Sequence, residues 1–112
     1  MAPGWGAATK PDSLAAIAIP VKIIAAEDDE LRLPERHAVY FDELIPGSEL
    51  VLLPKGGHFI FLSCRPMTRF ADWFIDPFNL CGIGIDIDRD AVQKEIAASA
   101  VQFFEHHLRH AE

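Results

Sequence analysis

No run of lysines or arginines occurs in these 112 residues: the ten basic side chains are scattered, 17 acidic ones outnumber them, and the formal charge is −7. A nucleic-acid or anionic-membrane surface needs a basic patch, so neither is expected as a partner. The acidic balance is read as a solubility feature. Long apolar runs are missing as well. The longest mainly apolar stretches are Leu14 to Ala26 and Phe59 to Leu62, and Pro20 and Lys22 interrupt the first. Neither reaches the roughly 20 residues of a membrane-spanning helix. Met1 to Lys10 lacks a basic segment followed by an apolar one, so no signal peptide is expected. The chain reads as cytoplasmic as written, with an exported parent left open. Cysteine is scarce, at Cys64 and Cys81. Two thiols do not make a disulfide scaffold. They are read either as buried free thiols or as one bridge, which would stabilise by roughly 3 kcal/mol in the chain-entropy model.

What is present is a composition 50% hydrophobic, enough to build a core and to argue against disorder. The length fits one domain. Its organisation is read as an N-terminal loop over 1–19, a βαβ unit over 20–58, and a helical tail over 59–112. Val21 to Ala26 (VKIIAA) is a short apolar run opened by Pro20 and ended by the acidic cluster Glu27 to Glu30, the pattern of a parallel strand covered on both faces. Pro34 to Ile45 is expected to form one helix, with Pro34 and Glu35 suited to its first turn. Ala38, Phe41, Leu44 and Ile45 form its buried stripe, and Pro46-Gly47 stops it. Glu49 to Leu53 (ELVLL) reads as a second strand, parallel to the first with a right-handed crossover. Phe59 to Phe74 is expected to hold one or two short helices, and Ile75 to Asp86 a loop. Asp88 to His110 is the clearest helix, with Val92, Ile96, Ala100, Phe103, Phe104 and Leu108 on one face directed at the sheet. The expected fold class is α/β, a small parallel sheet with a long C-terminal helix.

Chemistry in open α/β sheets sits outside the carboxyl ends of the strands. Asp29 and His58 each follow such an end, and in a parallel pair these ends share one edge. A carboxylate there can fix the tautomer of the imidazole and stabilise its charged form, the task of the acid in a Ser-His-Asp triad. Asp28 and Glu27 are neighbours that could take the acid position instead.

The run P-V-K-I-I-A-A-E-D-D-E-L-R-L-P resembles the acid-bearing strand and loop of the α/β-hydrolase superfamily, with Ala26 where glycine is usual and Asp29 at the acid position. The run I-P-G-S-E-L-V-L-L-P-K-G-G-H-F is similar to the family's final strand and histidine loop, which puts the catalytic base on His58. The tail (F-L-S-C, a Pro-containing loop, L-C, then D-R-D-A-V and V-Q-F-F) looks closest to dienelactone-hydrolase-like proteins. The first likeness covers Ser13 to Leu62, and with the tail it covers most of 11–108. It implies hydrolysis of a carboxylic ester or lactone without a cofactor.

The family's nucleophile stands in G-x-S-x-G or G-x-C-x-G ahead of the acid, and this chain has neither motif. Ser13, Ser48, Ser63, Ser99, Cys64 and Cys81 all lack the flanking glycines. Only 28 residues precede Asp29, too few for the family's earlier strands and helices. The chain is therefore read as a C-terminal portion of such a hydrolase, inactive or nearly so alone. A different reading is a non-catalytic interaction module, pairing the edge strand Val21 to Ala26 with a second copy or with an N-terminal hydrolase half. A third makes Met1 an internal methionine of a longer reading frame.

Other clusters are weighed and set aside. His106 and His110 have i, i+4 ligand spacing, but no carboxylate completes a site and no metal is expected. Asp86, Asp88 and Asp90 imitate the start of a calcium loop, yet the glycine and glutamate it needs are Ala91 and Ala97. These aspartates are expected to cap the last helix. Trp5, Trp73 and the phenylalanines are read as core rather than ligand platform, or in part as surface bared by missing strands.

Overall fold

A computed structural model describes residues 8–29, 31–62 and 87–109. Cys64, Cys81, Trp5, Trp73, Asp86, His110 and the segment 63–86 lie outside the described residues. So do the questions of a bridge, of a loop before the last helix, and of short helices beyond residue 62.

Strand β1 (Val21–Ala26) pairs in parallel with β2 (Ser48–Leu53), in a register running from Val21 opposite Ser48 to Ala26 opposite Leu53. Side chains alternate across a strand, and both faces of β1 are covered, which is why its sequence is apolar without alternation. Ile23 and Ala25 point into one cluster with Leu14, Ala38, Phe41 and Ile45. Ile24 points into the other with Leu53 and Ile60, against which Val92 and Ile96 pack. The architecture is thus mixed α/β: a two-stranded parallel sheet between helices, with a long helix after it.

The crossover is shorter in α-helix than expected. Pro34–Arg36 forms one 3-10 turn, and α2, taking α1 as the helix at Pro11–Ala15, spans Ala38–Leu44. The break falls at His37, with φ −129° and ψ −76°. Leu33 occupies the cap position and carries no side-chain acceptor, and Pro34 has no N–H. The entry closes instead through i→i+3 bonds, Arg36 N–H to Leu33 O at 3.0 Å and His37 N–H to Pro34 O at 3.2 Å. Phe41 N–H to His37 O at 2.9 Å begins the α-helical pattern. Of the expected stripe, Ala38, Phe41 and Ile45 are buried and Leu44 is half-buried. Ile45 is extended, as a residue before proline prefers, and Gly47 turns the chain at φ +70°. The Ser48 hydroxyl then ties the helix end to β2 through Asp42 Oδ1 at 2.7 Å.

Helix α1 lies inside the stretch expected to be a loop. It has Pro in its first turn, and Leu14 docks into the core. Five residues are too few for periodicity to reveal.

Helix α3 spans Arg89–Arg109. Of the aspartates expected to cap it, Asp88 does so, its Oδ1 accepting Ala91 N–H at 3.0 Å, while Asp90 lies inside the first turn. Its expected face is corrected in part. Val92 and Ile96 reach the second cluster, but Phe104 and Leu108 are 58% and 67% exposed. Consecutive residues lie 100° apart on a helix, so Phe103 and Phe104 cannot both face the sheet, and Leu108 follows Phe104 one turn later. No described helix is long and apolar enough to cross a membrane.

Candidate active site

Parallel pairing in this register brings the carboxyl ends of β1 and β2 side by side. Glu27 N–H extends the ladder one step, donating to Leu53 O at 2.8 Å. The chain leaving β1 then presents the described acids Glu27, Asp28 and Asp29, and the chain leaving β2 presents Gly56-Gly57-His58. The geometry assigns each acid a different place. His58 Nδ1 stands 2.8 Å from Asp29 Oδ2. A carboxylate only accepts, so Nδ1–H donates and Nε2 is left as the acceptor nitrogen of the neutral ring. The other Asp29 oxygen, Oδ1, accepts the backbone N–H groups of Leu31 at 3.0 Å and Arg32 at 2.7 Å. Three donors therefore converge on one carboxylate and fix its plane.

Asp28 has a separate task. Its Oδ1 accepts Gly57 N–H at 2.8 Å and its Oδ2 accepts Gly56 N–H at 3.2 Å, so it fastens the glycine turn to the end of β1. Glu27 is exposed. Of the three acids open in the sequence, Asp29 is the one placed on His58. Both glycines are in the left-handed half of backbone space, at φ +138° and +61°. Ile60 is buried beneath Gly56, where any Cβ would stand 2.7 Å from Ile60 Cγ1.

The Asp29 side chain is 12% exposed and that of His58 35%. The pair is shielded at the carboxylate and open at the imidazole. Both residues line a cleft of about 260 Å³, walled by Ile24, Ala25, Ala38, Phe59, Phe61 and Leu62 with Arg32 at its side. The Phe59 ring meets the imidazole edge-to-face, centroids 5.0 Å apart. Walls of this kind suit an apolar group.

The turn after His58 is held by residues the sequence did not single out. Arg89 Nη1 donates to Phe59 O, and to Leu62 O at 3.1 Å. Gln93 Nε2 donates to Ile60 O at 3.0 Å and Leu62 O at 2.8 Å. Burial lowers the Arg89 pKa from its ordinary value, and guanidinium groups remain protonated across the working range of proteins. No local signal marks these contacts, because each spans about thirty positions of chain.

Among the described residues no cluster of three or more metal-ligating side chains occurs. His107 instead approaches Glu49 (3.9 Å) and packs on the Phe103 ring. No protein-family model, no curated protein and no solved structure matches this chain.

Proposed function

We propose that this chain supplies the general base and its orienting acid to a carboxylic-ester or lactone hydrolase, the nucleophile coming from polypeptide outside these 112 residues. The observation that carries the reading is the 2.8 Å contact between His58 Nδ1 and Asp29 Oδ2 at adjoining strand ends. With Asp29 holding Nδ1–H, Nε2 accepts a proton from a serine or cysteine attacking the acyl carbon, then returns it to the leaving alkoxide. Asp29 stabilises the imidazolium formed between these steps. The resemblance of the acid and histidine runs to α/β-hydrolases, and of the tail to dienelactone-hydrolase-like proteins, supports the substrate class. The apolar cleft beside His58 supports it further.

The purified chain is expected to hydrolyse p-nitrophenyl acetate little faster than imidazole in solution, since nucleophile and oxyanion hole supply most of the rate in such enzymes. A His58→Ala variant measured beside it decides the outcome. Robust turnover that survives the substitution would sink the assignment of His58. Robust turnover lost with it would place a nucleophile within this chain.

A second reading, an interaction module that self-associates or pairs with an N-terminal hydrolase half, is favoured by the bare apolar side of α3, where Val101, Phe104 and Leu108 are 57–67% exposed. Light scattering across a concentration series is expected to give twice the monomer mass under this reading. A monomer at every concentration removes self-association.

A further inference from the structure

We infer that Arg89 and Gln93 are positioning residues for His58, acting by holding the carbonyls of the turn that carries it. The inference uses the pairing of His58 with Asp29, and for its catalytic consequence it rests on the function proposed above.

His58 stands between two clamps of different origin. On its upstream side, Asp28 grips the N–H groups of Gly56 and Gly57. On its downstream side the chain folds into a turn, with Ile60 N–H on Gly57 O at 3.4 Å and Leu62 N–H on Phe59 O at 3.1 Å. These bonds leave the carbonyls of Ile60 and Leu62 for the side chains at the start of α3, and Phe59 O accepts a second donor from there beside Leu62 N–H. Arg89 and Gln93 meet all three. Their i, i+4 spacing puts them on one side of α3, beside Val92 and Ile96, which pack against the cluster of Ile24, Leu53 and Ile60. The helix thus brings its apolar contacts and its two donor side chains to the same short turn.

A catalytic pair has to be held within about 0.5 Å of its productive geometry. Glycines at 56 and 57 give the turn freedom that the backbone itself does not restrict. Without the downstream donors, the carbonyls of Ile60 and Leu62 would be solvated instead, Phe59 O would keep only Leu62 N–H, and the turn could rotate about Gly57. His58 would then leave Asp29 while the sheet stayed intact. In an assembled hydrolase, misplacing a base by about 1 Å costs on the order of a hundredfold in rate.

A merely structural role would move the melting temperature but not the state of the imidazole in the folded protein. The test therefore follows the His58 ring itself, by nitrogen-15 imidazole NMR on the full chain. The wild type is expected to give a low-field Nδ1–H resonance from the Asp29 contact, and Asp29→Asn to lose it. The double variant Arg89→Ala/Gln93→Ala is expected to lose that resonance too, while the backbone amide signals of β1 and β2 keep their positions. Persistence of the resonance in a folded double variant overturns the positioning role and leaves the pairing intact. Persistence in Asp29→Asn overturns the pairing itself, and with it the basis of the proposed function. Should the double variant not fold, single variants decide. Gln93→Glu exchanges a donor for an acceptor and is expected to lose the resonance, while Arg89→Lys keeps a donor and is expected to retain it. Retention in both overturns the role.

Discussion

Gly56→Ala is expected to lower stability by about 3 kcal/mol, the largest effect of any single methyl group added to the glycine turn. Two causes add. At φ +138° the backbone is in a region that side chains rarely adopt, which costs of order 1–3 kcal/mol. The new Cβ would also stand 2.7 Å from Ile60 Cγ1 and 2.8 Å from Ile60 Cβ. Ile60 is 1% exposed and wedged against Ile24 and Leu53, so it cannot yield without disturbing the core, and overpacking of this kind costs about 1–3 kcal/mol more. For a domain near this size the loss corresponds to a fall in Tm of roughly 10–20 °C. Gly57→Ala is the control. Its φ of +61° is left-handed, but no atom lies within 4 Å of the added Cβ, so the expected cost is only about 1 kcal/mol. Equal melting temperatures for the two variants would show that the packing of Gly56 on Ile60 is not tight in solution.

Asp29→Asn is expected to lower ester turnover by about four orders of magnitude once a nucleophile is provided, with little change in stability. The asparagine oxygen can still accept from Leu31 and Arg32. Its amide group then faces His58 Nδ1 and favours the tautomer with the proton on Nε2. That ring has no acceptor left for the nucleophile's proton. Asp28→Asn provides the contrast. It keeps one acceptor for the two glycine N–H groups and loses the other, so about 1–2 kcal/mol of stability is expected to go and turnover to fall far less. Comparing kcat/KM and melting temperature for both variants, in an enzyme assembled from this chain and a nucleophile-bearing hydrolase half, separates the two aspartates. Equal losses of turnover would reassign the orienting acid.

The legible part of the site was its chemistry by position. Strand-ending motifs put an acidic cluster and a Gly-Gly-His on the same sheet edge, because a parallel pair aligns its carboxyl ends whatever the intervening helix does. The resemblance put Asp29 at the acid position, and Asp29 is the acid that meets the imidazole, but the local pattern by itself left Asp28 and Glu27 open. Glu27, Asp28 and Asp29 are consecutive, and their directions depend on the turn Asp29 N–H makes onto Ala26 O, 3.4 Å, and on the Leu31 and Arg32 amides that gather around Asp29. Each of these is set by chain geometry after the strand has ended.

The same division runs through the fold. Read from the residues alone, β1 is right to the residue, β2 to within one, and the long helix is right with an aspartate at its cap, while the choice among Asp86, Asp88 and Asp90 stayed open. Those features follow from local hydrophobic runs, prolines, glycines and a capping side chain. The assembled fold turns Phe103 rather than Phe104 toward the sheet, where Lys22 Nζ stands 5.7 Å from the Phe103 ring centroid. It also placed Asp28 on the glycines and brought Arg89 and Gln93 to the carbonyls beyond His58. Each is a contact between segments far apart in the chain, or a choice between neighbours of equal local merit. Local propensity carries no information about either. Packing around Ile23, Ile24 and Ile60 does, because a close-packed interior admits one arrangement of the surfaces that meet in it.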